Sequence, residues 1–130
     1  VTVRDAIYDL RDEAGDLPFN AETLTARAML QAGQGETDPR HYSTAKLNYA
    51  KPAPTLRKDF LGYFHYRHPE AFRPLNLSEW KRIGTFPDDF TFTDKKNGCQ
   101  RIGNSVPPNF MRAIAEHIYS TILTPTRITS

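Results

Sequence analysis

Apolar side chains recur at spacings of three and four near both ends of the chain and lose that regularity in between. The longest stripe is Phe110, Met111, Ile114, Ile118 and Ile122, which predicts an amphipathic helix close to the C-terminus. It follows Gln100-Arg101-Ile102-Gly103-Asn104-Ser105-Val106-Pro107-Pro108. There Gly103 suits a tight turn, Asn104 and Ser105 can bond helix-start N–H groups, and the two prolines fit a first helical turn. At the other end, Val3, Ile7 and Leu10 share one face of a short helix predicted over residues 1–10, with Thr2 as N-cap and Asp5 in the first turn. Residues 11–22 are acidic, contain Gly15 and Pro18, and read as a loop. Residues 21–31 carry Leu24, Ala28 and Leu30 in loose periodicity and predict a second helix.

Between these ends the pattern is broken. Gly33-Gln34-Gly35-Glu36-Thr37-Asp38-Pro39 is a turn-rich break. Short extended segments are predicted near 45–49 and 54–58, because Pro52 and Pro54 forbid a continuous helix. The aromatic-rich run Phe60-Leu61-Gly62-Tyr63-Phe64-His65-Tyr66-Arg67-His68-Pro69 suits a strand plus a loop. Asn76 with Glu79 three residues later is a capping-box variant opening a helix over about 77–84, which Phe86-Pro87 ends. Helices at both ends and short strands amid irregular backbone make the predicted class α+β: a small irregular domain with a C-terminal helix.

Composition sharpens this picture. A chain of 130 residues is one domain by length, and ten prolines, seven glycines and 38% hydrophobic residues fit the irregular middle. The net charge of +2 conceals a division. Residues 1–39 hold three Lys/Arg against eight Asp/Glu, whereas residues 40–101 hold twelve against six. In that basic middle, from His41 to Lys58, cations interleave with aromatic side chains, which suits a polyanionic partner. A single cysteine, Cys99, excludes an internal disulfide and fits a reducing compartment. No apolar run has membrane-spanning length. Val1 already lies inside an amphipathic pattern, so the chain reads as a piece of a longer protein.

Several candidate chemistries fail on spacing. The Gly33/Gly35 pair lacks the preceding strand and the Lys-Ser/Thr of a phosphate loop. His41, His65 and His68 do not make a zinc set with the distant Cys99. Asp88-Asp89 reads as a solvated turn. The start of the C-terminal helix could present backbone donors to an anion or cofactor, or could simply be a capped terminal helix.

Four stretches resemble one family. QRIGNSVPPNF (100–110) is similar to motif X of the DNA cytosine-5 methyltransferases, and RPLNLSEWKRIGTFPDDF (73–90) to their motif IX. KPAPTLR (51–57) is similar to their P-A-P-T-I segment, and TVRDAIYDL (2–10) to the segment leading into their target-recognition domain. Asn76, Ser78 and Trp80-Lys81 depart from the usual motif IX. The resemblance implies the C-terminal part of such an enzyme. Residues 1–35 would be a lead-in from the catalytic domain, 36–92 the target-recognition region, and 93–130 motif X with a helix belonging to the catalytic domain. It implies S-adenosylmethionine as cofactor, its pocket supplied only in part by Asn104, Ser105 and Val106. It further implies double-stranded DNA with a flipped cytosine as partner, contacted through Thr55, Leu56, Arg57, Lys58 and Arg67. Other expected partners are the missing N-terminal catalytic domain, with neither metal nor membrane, in a cytoplasmic, nucleoid-associated, restriction-modification setting.

The family's glycine-rich cofactor loop, Pro-Cys-Gln and Glu-Asn-Val are absent from these residues. Cys99 stands in Gly98-Cys99-Gln100, so it is not expected to be the nucleophile, and the piece alone is expected to be inactive. Two rival readings share the same residues: a separate DNA-specificity subunit of a split enzyme, and an interaction domain without a nucleic-acid role.

Overall fold

Two local caps fix the frame. In the computed structural model, which describes residues 1–16, 19–58 and 66–124 with only the backbone of 41–43, helix α1 spans Val3–Ile7. The Thr2 hydroxyl accepts from the Asp5 N–H (3.3 Å) while the Asp5 carboxylate accepts from the Thr2 N–H (2.8 Å), the reciprocal pair of a capping box. A 3₁₀ turn, Tyr8–Leu10, continues it. Helix α2 spans Leu24–Gln31 behind a Thr23 cap. Strands β1 (Thr37–Asp38) and β2 (His41–Ala45) form a two-stranded antiparallel sheet with an irregularity between Thr37 and Asp38. Helices α3 (Leu77–Ile83), α4 (Lys95–Asn104) and α5 (Pro108–Ile118) complete the chain, and a π turn, Tyr119–Leu123, extends α5. The expected α+β class therefore holds.

The core gathers Val3 and Ile7 of α1, Leu47, Tyr49, Tyr66 and Leu75 of the loops, Trp80 of α3, and Cys99 and Ile102 of α4. Backbone bonds tie α1 to the irregular middle: Val3 N–H donates to the Lys51 carbonyl (2.9 Å) and Arg4 N–H to that of Tyr49 (3.1 Å). Isolated bridges join Lys46 to Arg67 and Arg67 to Pro74. Lys46 also donates through Nζ to the Ala32 carbonyl (2.6 Å), satisfying an orphan acceptor at the end of α2.

Four expectations change. The extended stretch is at 41–45 rather than 45–49, since β2 is aligned by the turn at residues 39 and 40 and leaves only a bridge at Lys46. Residues 54–58 form no strand; Pro52 and Pro54 lack the N–H groups that a ladder needs. Helix α2 exists, but Leu24 is 69% exposed. Its buried face is Thr25, Ala26 and Met29, because the helix packs on β1, where Thr25 bonds the buried Asp38. Gly103 is not a turn before the last helix. It lies in the final turn of α4, a helix that the sequence reading missed, capped by Asp94 accepting from Asn97 N–H (2.8 Å). The strand expected over the aromatic run falls largely on residues 59–65, outside the described residues.

A buried polar knot sits before α3. Asn76 and Glu79 exchange cap hydrogen bonds, each 2.9 Å, as expected. Glu79 is fully buried, 0% exposed, and Arg73 grips both its oxygens at 2.9 and 2.8 Å. His68 Nδ1 accepts from the Glu70 and Ala71 N–H groups (3.0 and 2.9 Å), which puts its proton on Nε2, 3.5 Å from Glu79 Oε1.

Burial is the main influence on His68 and lowers its pKa; Arg73 acts with it, while Glu79 and Glu70 oppose. A neutral histidine favoured by folding contributes stability that is present above the ordinary value near 6.5 and is lost as the pH falls below it. Urea unfolding of the chain is therefore expected to show an acid limb beginning near pH ~6.5. His68→Asn, whose Oδ1 can accept from the same two N–H groups, should remove that limb. An identical pH profile in the variant would contradict the assignment.

Candidate functional site

Residues 51–58 cross the molecule as a proline-spaced strip. Ala53 and Leu56 turn inward against the core, while Thr55, Arg57 and Lys58 face solvent. Irregular backbone needs partners for its polar groups, and the Tyr66 hydroxyl supplies one by donating to the Thr55 carbonyl. The peptide joining Arg57 and Lys58 lies directly on Gly103 of α4.

This brings the strip to the junction of α4 and α5. A groove of about 500 Å³ there is lined by Thr55 and Leu56 of the strip, Ile102 and Ser105 of α4, and Phe110 of α5, among others. Two groups of candidate residues nearly fifty positions apart thus share one cavity. Asn104 and Ser105 also line an adjoining open depression with Asn97, Gln100 and Arg101. That surface offers amide and hydroxyl groups beside one guanidinium, whose Nε donates to the Asn97 side chain (2.7 Å). Asn104 and Val106 are exposed, and Ser105 is half-buried.

The junction differs in detail from the sequence expectation. Neither Asn104 nor Ser105 caps α5: Ser105 is the C-cap of α4, and its hydroxyl donates to the Ile102 carbonyl (2.8 Å). Helix α5 starts at Pro108 without a side-chain cap from Pro107. Its Asn109 N–H instead donates to the Thr85 hydroxyl (3.1 Å). Thr85 holds a left-handed φ of 63°, a strained value for a branched residue, in the turn after α3. A cap supplied from so far back in the chain leaves no local signal.

Arg67 does not join the strip. It is 5% exposed, its Nε and Nη1 lack hydrogen-bond partners among the described residues, and its guanidinium lies 4.7 Å over the Phe19 ring. Burial lowers its pKa. In this arrangement it is a packed interior cation.

The expected decoys have structural explanations. Cys99 is 2% exposed, and burial, with the Asp16 charge acting the same way, pushes its thiol up to about 12. A thiol so placed is protonated at neutral pH and is no nucleophile. Asp88 is more than a solvated turn. Arg82 grips it with Nε at 2.6 Å and Nη2 at 2.8 Å, and reaches Asp9 at 3.1 Å, joining the end of α3 to α1. No group of three His, Cys, Asp or Glu able to hold a metal occurs among the described residues. No helix among them is long and apolar enough to cross a membrane.

Along α5 the predicted stripe is real but uncovered. Phe110 is 61% exposed, and Met111, Ile114, Ile118 and Ile122 are exposed with it.

Comparison with known proteins agrees with the motif reading. The chain is 41% identical over 69 residues to the type II methyltransferase M1.HphI of Haemophilus parahaemolyticus, covering 52% of this chain and 18% of that protein. It is 36% identical over 87 residues to M.SacI of Streptomyces achromogenes, covering 56% and 22%. It is 35% identical over 77 residues to M.BbvI of Brevibacillus brevis, covering 58% and 21%. The chain thus spans about a fifth of the length of these curated relatives. The sequence model described as C-5 cytosine-specific DNA methylase matches residues 11–120, and the chain belongs to that family.

Proposed function

We propose that this chain is the C-terminal, DNA-recognising part of a DNA (cytosine-5-)-methyltransferase, which transfers methyl from S-adenosylmethionine to C5 of cytosine. Residues 1–35 are the lead-in, 36–92 the target-recognition region, and 93–130 the motif X segment that returns to the catalytic domain. The observation that carries this reading is the shared groove, with Thr55 and Leu56 on one wall and Ser105 on another.

In this reading the Thr55 hydroxyl and the Arg57 and Lys58 cations meet DNA phosphates and set the register of the duplex. Leu56 packs the strip against the core and holds that surface in place. Asn104, Ser105 and Val106 hold the amino-acid end of S-adenosylmethionine, which supplies the electrophilic methyl group when bound. The thiolate that attacks cytosine comes from elsewhere in the protein, since Cys99 is buried and protonated. The target base must leave the stack to be reached, so the strip serves a flipped cytosine in duplex DNA. The setting that fits is a cytoplasmic restriction-modification enzyme working on the nucleoid.

The test is charge reversal of Arg57 and Lys58 together in the protein encoded by the complete reading frame. Affinity for a short random-sequence duplex is expected to fall at least about tenfold at low salt, and the salt slope to shrink by about two. The 130 residues alone are expected to show no methyl transfer. Unchanged duplex binding by the double variant, or turnover by the chain alone, would overturn the proposal.

A further inference from the structure

Where a side chain of residue 103 would stand, another piece of backbone already lies. A Cβ on Gly103 would come within 2.6 Å of the Arg57 carbonyl oxygen, and closer still to the Arg57 carbonyl carbon and the Lys58 nitrogen. Real Cβ atoms essentially never come within 3.0 Å of another group, so only glycine admits this approach. The residues around it are not free to shift. Ile102 and, one turn earlier, Cys99 are buried in the core, which fixes the rotation of α4. By contrast, residues 55–58 belong to no helix or strand. Leu56 packs the strip against the core, and the Tyr66 hydroxyl donates to the Thr55 carbonyl. Tyr66 is itself buried, its ring 6.0 Å from that of Trp80.

We infer that Gly103 and Tyr66 are positioning residues for the DNA-contacting strip. The bare face of α4 and the fixed tyrosine hydroxyl hold the backbone of residues 55–58 and thereby aim Thr55, Arg57 and Lys58. This inference rests on the proposed reading of those residues as phosphate contacts. A methyl group at position 103 must displace one side of the contact, and the irregular strip yields before the core-anchored helix. Duplex binding should then suffer while Asn104 and Ser105, on the unmoved helix, keep their cofactor.

The experiment uses the protein encoded by the complete reading frame, a short random-sequence duplex, and S-adenosylhomocysteine as the cofactor probe. Gly103→Ala is expected to weaken the duplex at least about tenfold and to reduce the salt slope by one to two, roughly the loss of one or two phosphate contacts. S-adenosylhomocysteine affinity should stay within about twofold, under ~0.5 kcal/mol. Tyr66→Phe, which removes only a hydroxyl, should move duplex affinity and slope the same way by a smaller factor. Should Gly103→Ala fail to fold, Tyr66→Phe decides the question. An unchanged salt slope in the folded variants, or equal losses of duplex and cofactor, would overturn the inference. Failure of the unaltered protein to bind the duplex would instead overturn the functional reading beneath it.

Discussion

Replacing Glu79 with alanine is expected to lower the unfolding free energy of the chain by about 3–5 kcal/mol, the range for removing one partner of a buried ion pair. The carboxylate is fully buried and both its oxygens are engaged. Oε2 accepts from Arg73 Nη1 and from the Asn76 N–H, both at 2.9 Å, and Oε1 accepts from Arg73 Nη2 at 2.8 Å. Truncation therefore leaves the largely buried guanidinium of Arg73 without a counter-charge and opens half of the α3 capping box. It also removes the acceptor nearest His68 Nε2. A domain of this size has a total stability on the order of 5–15 kcal/mol, so the loss is a large share of it. Urea unfolding measures it, with an unchanged m-value marking an effect on the native state. Adding Arg73→Met to the alanine variant should restore part of the loss, because the stranded charge is gone. A single variant within about 1 kcal/mol of the parent would show that the pair is not buried as described.

The consequence reaches the groove through α3. Its end passes into Thr85, which bonds the start of α5, and Ile83 and Gly84 line the groove wall. Fraying of α3 from its capped end would therefore loosen the wall that faces Thr55 and Ser105.

What the sequence made legible was local. The caps at Thr2 and Asn76 work across three residues, so their partners Asp5 and Glu79 stand in view. The α5 stripe declares itself by period alone. What stayed hidden depends on distant parts of the chain. Gly98 and Gly103 look like punctuation, yet both sit inside α4 because other groups need the room. A Cβ at Gly98 would come 2.9 Å from Leu77, and one at Gly103 would meet the strip backbone. The two leucines of α2 looked like its core face, but the neighbouring sheet selected Thr25, Ala26 and Met29 instead. Arg67, which the resemblance implied at the DNA surface, is buried here, and its backbone bridges Lys46 and Pro74, neither of them its sequence neighbour. That Thr55 and Ser105 line the same groove is likewise a product of the fold, since fifty residues separate them in the chain.

Ile114→Asp on α5 is expected to leave the stability of the 130-residue chain unchanged within about 0.5 kcal/mol, as for any surface site away from packing. In the protein encoded by the complete reading frame, the same change is expected to lower methyl transfer at least about 100-fold. The contrast follows from the stripe. Phe110, Met111, Ile114, Ile118 and Ile122 are exposed here although they follow the period of a buried face. Full burial of such a side chain contributes roughly 1.5–3 kcal/mol, which under the proposed function gives the helix strong reason to be covered by a catalytic layer. An aspartate in that contact would be buried without a partner, at a cost of several kcal/mol in rough terms. The misplaced helix would carry Ser105 and Val106 with it, since only Pro107 separates them from its first residue. Glu116→Gln is the control: Glu116 pairs with Arg112 at 2.9 Å, both largely exposed, so its loss should affect neither readout. Full activity of Ile114→Asp in the complete protein would mean that α5 keeps its apolar face in solvent, and the proposed return of this helix to a catalytic layer would fall.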